Sequence, residues 1–271
     1  MKKCRGCGSI TVHKIMCILL MAIGIHPTYK LILASNRDEY YSRPSLTAEF
    51  WEDRPDILAG RDQKAGGTWL GITRTGRLGA LTNYRDPSSL REDTTSRGDL
   101  VDRFLRGTLQ PPEYIKGLIH EAETYNGFNL IVGEKNRLYW YSNRGNGFRE
   151  LKPGIYGLSN RLLDTPWPKV VRGKKAIERV LSESGDPEPP AFFEILSDRE
   201  VPDDKLLPDT GVGIEWERRL APLFIMSPDY GTRASTVLLI DKWDRVTFTE
   251  KAFGPGARHL SKIKREFRIK H

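Results

Sequence analysis

Apolar residues fall in runs of strand length over the first third of the chain. Residues 17–25 and 30–36 form two such runs on either side of a polar turn at Pro27-Thr28-Tyr29, which reads as a buried hairpin. A short run at 57–59 follows, then 68–73 and 77–83, joined through Arg74-Thr75-Gly76. The period then changes. Leu100, Val101, Phe104 and Leu105 fall on one face of a helix starting near Gly98 or Asp99. Pro111-Pro112 opens a second helix, which carries Tyr114, Ile115, Leu118 and Ile119 and ends before Asn126-Gly127. Strands return at 128–132, 138–141 and 154–158. Thr165-Pro166-Trp167-Pro168 starts a further helix with Val170, Val171, Ile177, Val180 and Leu181 as its apolar stripe, and 191–196 makes a short one. Residues 184–190 and 200–212 read as irregular, and 235–240 with 245–248 form a hairpin.

Strand clusters alternating with helix pairs predict two sheets covered by helices: an α+β fold, not a doubly wound parallel sheet. No repeat or compositional break divides the body, so residues 16–257 are expected as one domain. With 38% hydrophobic and 10% aromatic residues in 271, the chain can bury a sizeable core. The net charge of +8 is concentrated at the ends, with +4 in residues 1–15 and +5 in residues 258–271, which leaves −1 between them. So neutral a body argues against a nucleic-acid partner, and residues 258–271 are expected as a solvated basic C-terminal tail.

Cys4, Cys7 and Cys17 are too few for a disulfide framework and fit a reducing, cytoplasmic compartment. Cys4 and Cys7 lack further ligands at zinc spacing, and no metal is expected. Residues 15–25 imitate the apolar part of a secretory signal, but no small-x-small cleavage pattern follows. At 11 residues the stretch is too short to span a bilayer, so no integral membrane segment is expected. A buried strand fits better, and residues 1–15 then read as an N-terminal extension from an upstream start codon.

Cys17 directly follows Met16. Removing the chain through Met16 would leave a free amine and a thiol on one residue, a nucleophile with its own base, because an α-amine titrates near pH ~8. Arg37 and Asp38 would supply the two charges such a site wants. The five histidines show no triad or metal spacing, and neither the glycine-rich nucleotide motifs nor H-E-x-x-H occurs.

Asn36-Arg37-Asp38-Glu39 occurs with Met16-Cys17, Gly66-Gly67-Thr68-Trp69-Leu70-Gly71, Thr82-Asn83-Tyr84-Arg85, Gly157-Leu158-Ser159-Asn160, Thr165-Pro166-Trp167-Pro168-Lys169 and Thr232-Arg233-Ala234-Ser235. On these motifs the chain resembles the NRDE family, also called the transport and Golgi organisation 2 family, from about Met16 to Phe253. That family is similar in turn to N-terminal-nucleophile hydrolases of the choloylglycine hydrolase and penicillin V acylase type. The resemblance implies a four-layer αββα sandwich of two mainly antiparallel sheets. It also implies Cys17 as nucleophile, Arg37 favouring its thiolate, and Asp38 holding the α-amine. Asn83 and Asn160 would be the oxyanion-side and amine-side asparagines, and Arg233 a second active-site arginine.

Adjacent residues on a strand point to opposite faces, so Arg37 and Asp38 both face Cys17 only if the chain bends there. Plainer roles stay open beside these. Cys17 can be a small buried residue, Arg37 and Asp38 a structural ion pair, and the two asparagines strand-ending turn residues. Glu39 reads as a solvated or supporting carboxylate, Gly66-Gly67 as turn geometry, and Trp69, Trp140 and Trp167 as core. The expected activity is cleavage of a linear amide or related acyl bond in a small molecule, with no cofactor required. The alternative is a non-catalytic carrier on the same fold, since the resemblance implies roles in haem trafficking and lipid or acyl-CoA handling. Haem would then bind reversibly through Cys17, His26 or a tyrosine, because no C-x-x-C-H attachment motif exists.

Overall fold

The computed structural model describes residues 16–134, 137–183 and 185–270. The Cys4 and Cys7 pair and the expected extension over 1–15 lie outside them. In chain order come β1 (Met16–Ile23), β2 (Tyr29–Tyr40), β3 (Ser45–Trp51), β4 (Arg54–Asp62), β5 (Leu70–Thr73) and β6 (Arg77–Asn83). Helices α1 (Gly98–Arg106) and α2 (Pro111–Ile119) follow, then β7 (Phe128–Glu134), β8 (Arg137–Ser142), β9 (Phe148–Glu150) and β10 (Gly154–Leu158). The chain closes with α3 (Pro168–Ser182), α4 (Pro189–Leu196), α5 (Ile214–Leu220), β11 (Tyr230–Asp241), β12 (Arg245–Gly254) and β13 (Arg258–Arg268).

The strands form two antiparallel sheets, one ordered β10-β1-β2-β11-β12-β13 and the other β3-β4-β5-β6-β7-β8-β9. Leu19, Met21 and Leu33 of the first sheet meet Leu58, Ile72 and Ile131 of the second in the central core. On the second sheet's outer face lie α1 and α2, through Leu100, Phe104, Ile115 and Leu118. On the first sheet's outer face lie α3 and α4, through Ile177, Phe192 and Leu196. The layers are therefore α, β, β, α, as the sequence resemblance implied.

This layering explains the signal-like run at the start. In β1 the odd positions Leu19, Met21 and Ile23 face the other sheet, and the even positions Ile18, Leu20 and Ala22 face the helices. A strand buried on both faces reads as continuous apolar sequence. Among the described residues no helix is long and apolar enough to cross a membrane.

The basic C-terminal segment is not a solvated tail over its described length. Residues Arg258–Arg268 form β13, paired with β12 from Gly254↔Arg258 to Arg245↔Arg268. Ile263 and Phe267 pack onto the central core, while Lys262, Lys264 and Arg268 between and beyond them are exposed. The charge density hid a period of two, and lysines on an edge strand are a common guard against further pairing. Three more elements, β3, β9 and α5, formed where no sequence signal placed them. A buried carboxylate ties each of β3 and α5 to a segment distant in sequence. Glu250 accepts the Ala48 N–H at 2.8 Å and so ties β3 to β12. Glu217 of α5 pairs with Arg85 at 2.5 Å.

Gly66 has φ of +81°, the turn geometry expected of it, but Gly67 serves a different need. A Cβ at Gly67 would lie 2.5 Å from the Gly98 carbonyl carbon, because the Gly67-Thr68 backbone runs against the first turn of α1. The Thr68 N–H donates to the Gly98 carbonyl there at 3.2 Å. Gly67→Ala is expected to destabilise the protein by about 1–3 kcal/mol through overpacking against backbone. The check is a lowered thermal midpoint, with Gly117→Ala as control because nothing lies within 4 Å of that position. An unchanged midpoint for Gly67→Ala would contradict the close approach.

Candidate active site

Cys17 lies near the N-terminal end of β1, on the face turned toward the second sheet, and is 5% exposed. It lines the floor of a cleft of about 270 Å³ whose walls include Arg37, Trp69, Asn83, Thr95 and Arg97. The cleft opens where β1 and β2 face the end of β6 and the start of α1. Its floor is clamped from both sheets. Thr82 Oγ1 donates to the Ser159 carbonyl at 2.7 Å, and Ser159 Oγ donates to the Cys17 carbonyl at 3.0 Å.

The backbone nitrogen of Cys17 is equally fixed. It donates to Asn160 Oδ1 at 3.3 Å, and Asn160 Nδ2 donates to the Asn83 carbonyl at 2.9 Å. These two bonds orient the Asn160 amide, because its oxygen must face the Cys17 N–H and its nitrogen the Asn83 carbonyl. Asn160 therefore sits at the nitrogen of Cys17, and Asn83 lines the cleft.

Arg37 is the cross-strand partner of Cys17 in the β1–β2 ladder, and Asp38 is the partner of Met16. The ladder stays in register through both positions, so the chain does not bend. Arg37 faces the cleft, 4.2 Å above the Trp69 ring, with Glu39 and Asp62 each 3.8 Å from its Nη2. Asp38 faces the helical layer. Its Oδ1 accepts the Thr232 hydroxyl at 2.6 Å, and its Oδ2 is buried with no hydrogen-bond partner among the described residues. The buried Lys169 lies in the same layer, its Nζ donating to the Leu220 carbonyl at 3.0 Å.

Burial dominates the electrostatics. It pushes the Cys17 thiol up to about 12, with the Asp38 carboxylate adding to the rise. Arg37 and the Asp38 backbone N–H oppose it only in part. Burial likewise raises Asp38, against the pull of Lys169, the Thr232 hydroxyl and Arg37, and lowers Lys169. With Met16 attached, the sulfur is thus protonated at neutral pH.

Arg233 is not on the cleft wall. It is the extra residue of a bulge in β11, between Thr232 opposite Asp38 and Ala234 opposite Arg37. Its guanidinium donates to the Tyr40, Tyr41 and Arg43 carbonyls at 2.9, 3.2 and 3.0 Å, fastening the turn after β2. Glu39 is not solvated but 2% exposed, beside Arg37 and Arg43. His26 stands past the far end of β1, where its Nδ1 accepts the Thr28 and Tyr29 N–H groups, and it does not share a cavity with Cys17. No group of three or more His, Cys, Asp or Glu among the described residues is placed to hold a metal ion.

Lys169 and Arg97 carried no role in the sequence reading. Lys169 had a signal: it shares the buried stripe of α3 with Gly173, Ile177 and Val180, where a lysine is out of place. Arg97 had none, because nothing local shows that it flanks a cleft.

The chain matches the model of the Transport and Golgi organisation 2 family over residues 16–255. The Transport and Golgi organization protein 2 homolog of Bos taurus is 40% identical, over 94% of this chain and 99% of its own. The Homo sapiens homolog is 39% identical over 88% and 93%, and the Drosophila melanogaster protein 28% identical over 87% and 92%. Among solved structures, an N-acylethanolamine-hydrolyzing acid amidase ortholog from Caenorhabditis elegans is similar at TM-score 0.48 and 10% identity, covering 82% of this chain and 92% of its own. A mutant conjugated bile acid hydrolase from Clostridium perfringens is similar at TM-score 0.40 and 8% identity, over 94% and 84%. On the extent of the family match and of the 40% identity, this chain belongs to the Transport and Golgi organisation 2 family.

Proposed function

We propose that the protein is an N-terminal-cysteine hydrolase of a linear amide or related acyl bond, active once the chain begins at Cys17. The observation that carries this reading is the double fixing of one residue: Cys17 lines the cleft, while its nitrogen is held by Asn160. Removal of Met16 empties the ladder position opposite Asp38. It also turns an amide N–H into an ammonium, for which the unpartnered Asp38 Oδ2 is a ready acceptor. The new positive charge adds to that of Arg37 and draws the thiol down from about 12.

In the reaction, the neutral form of the α-amine takes the thiol proton and becomes the ammonium, and the resulting Cys17 thiolate attacks the carbonyl carbon. A C–S bond forms, and the tetrahedral oxygen takes an N–H of Asn83 from the cleft wall. The amine then gives the proton to the leaving nitrogen as the C–N bond breaks. Water attacks the resulting thioester, releasing the carboxylic acid and restoring the thiol. Asn160 and Asp38 hold the amine in place throughout.

A second reading has one feature in its favour: while Met16 stays attached, burial keeps the thiol protonated at neutral pH. On that reading the protein is a non-catalytic carrier of haem, or of lipid or acyl-CoA, in the same cleft. Replacing Cys17 by alanine would then leave ligand binding intact.

Intact-mass measurement of native protein is expected to find the chain beginning at Cys17, and that form is expected to cleave members of an N-acyl p-nitroanilide panel. Full activity in a chain that retains Met16 would contradict the mechanism. Asn83→Ala is expected to lower kcat about 100-fold, the loss typical of one oxyanion donor. Cys17→Ala is expected to abolish turnover. Cleavage by Cys17→Ala at the wild-type rate would assign the chemistry elsewhere.

A further inference from the structure

Five cationic and three acidic side chains line the Cys17 cleft. Arg37 and Arg43 share Glu39 and Asp62 at 2.7 to 3.8 Å, so that group of four is balanced. Lys64, Arg91 and Arg97 have no carboxylate within the 4.0 Å of an ion pair among the described residues. The remaining acid, Glu92, is exposed at the mouth.

Arg97 is the innermost of these three, and it is held in place. It directly precedes α1, whose start is pressed against Gly67, and its Nη1 donates to the Gly127 carbonyl at 3.1 Å. The loop that carries it is pinned by Asn126, which accepts the Arg91 N–H at 2.9 Å and donates to the Arg91 carbonyl at 2.8 Å and the Thr94 hydroxyl at 2.9 Å. Desolvation draws Arg97 down to about 10, and the nearness of Cys17 and Glu39 works against that fall. A half-buried guanidinium fixed beside a nucleophile, with one carbonyl as its hydrogen-bonding partner, has donors left for an oxyanion. Trp69 and Leu81 on the same walls offer apolar contact.

We propose that the cleft selects substrates bearing an anionic group, a carboxylate or a phosphate, close to the acyl bond, with Arg97 as its main contact and Arg91 and Lys64 adding to the attraction. This rests on the reading of Cys17 as nucleophile for its placement of the acyl bond, but the anion site can be measured without turnover.

The experiment is calorimetric titration of the full chain with hexanoate, hexyl phosphate and hexanamide, which share an alkyl length and differ in head group. The expected result is saturable binding of at least one of the two anions and markedly weaker binding of the neutral amide. The tighter anion identifies the head group as carboxylate or phosphate. Arg97→Gln is expected to weaken anion binding about tenfold, the usual scale for one charge-assisted contact, and Arg97→Lys to restore part of it. Thermal melting of each variant shows that it is folded. Equal affinity for hexanamide and the anions in the wild-type chain, or an Arg97→Gln affinity equal to wild type, would overturn the proposal. Anion binding without amide cleavage would remove the hydrolase reading and leave the anion site standing.

Discussion

The antiparallel ladder between β1 and β2 is the constraint on which the site depends. It sets Cys17 opposite Arg37 and Met16 opposite Asp38, and the period of two along each strand then assigns the side chains to faces. Cys17 and Arg37 go to the inter-sheet side, where the sandwich opens. Asp38 goes to the helical side, beneath the start of α3. The nitrogen of Cys17 lies in the plane of the sheet, where Asn160 Oδ1 accepts its N–H. A slip of one residue would drive Arg37 into the apolar layer under α3 and α4 and turn Asp38 toward Trp69.

The same alternation explains why four polar residues stand together in Asn36-Arg37-Asp38-Glu39. Asn36 and Asp38 share the helical side, and Arg37 and Glu39 share the cleft side. Asn36 is fully satisfied: its Nδ2 donates to the Leu196 and Leu223 carbonyls at 2.8 and 2.9 Å, and its Oδ1 accepts the Ser235 hydroxyl at 2.6 Å. It joins α4 and the segment after α5 to the sheet, a structural task. Asp38 differs in keeping one oxygen unpaired, which typically costs about 1–3 kcal/mol in a buried group. Such an arrangement makes sense if another donor arrives there. An ammonium on Cys17 is the donor that the proposed function supplies.

Much of this fold was legible because burial on both faces leaves a strong mark. The β1 and β2 runs, the amphipathic stripe of α1 and the paired prolines of α2 all announced themselves locally. What stayed hidden had weak local marks: β3 and α5 are tied to distant segments through Glu250 and Arg85, and β13 carries an alternation masked by its lysines and arginines. At the site, Cys17, Arg37, Asn83 and Asn160 were legible from their motifs and do converge. Arg233 was legible as a residue but not as a bulge, and the bulge turns its guanidinium to the carbonyls after β2. Asp38 turned out to lie opposite Met16 in the unbent ladder, on the helical side, with Arg37 opposite Cys17.

One electrostatic change governs the proposed site: a thiol held protonated by burial until the nitrogen beside it gains a charge. Its most direct measurement is a pH titration of the 13C-labelled Cβ of Cys17 in two chains, one beginning at Met16 and one at Cys17, in each of which this is the single cysteine. The account predicts a midpoint near 12 with Met16 present and one several pH units lower without it. Coincident midpoints would contradict it.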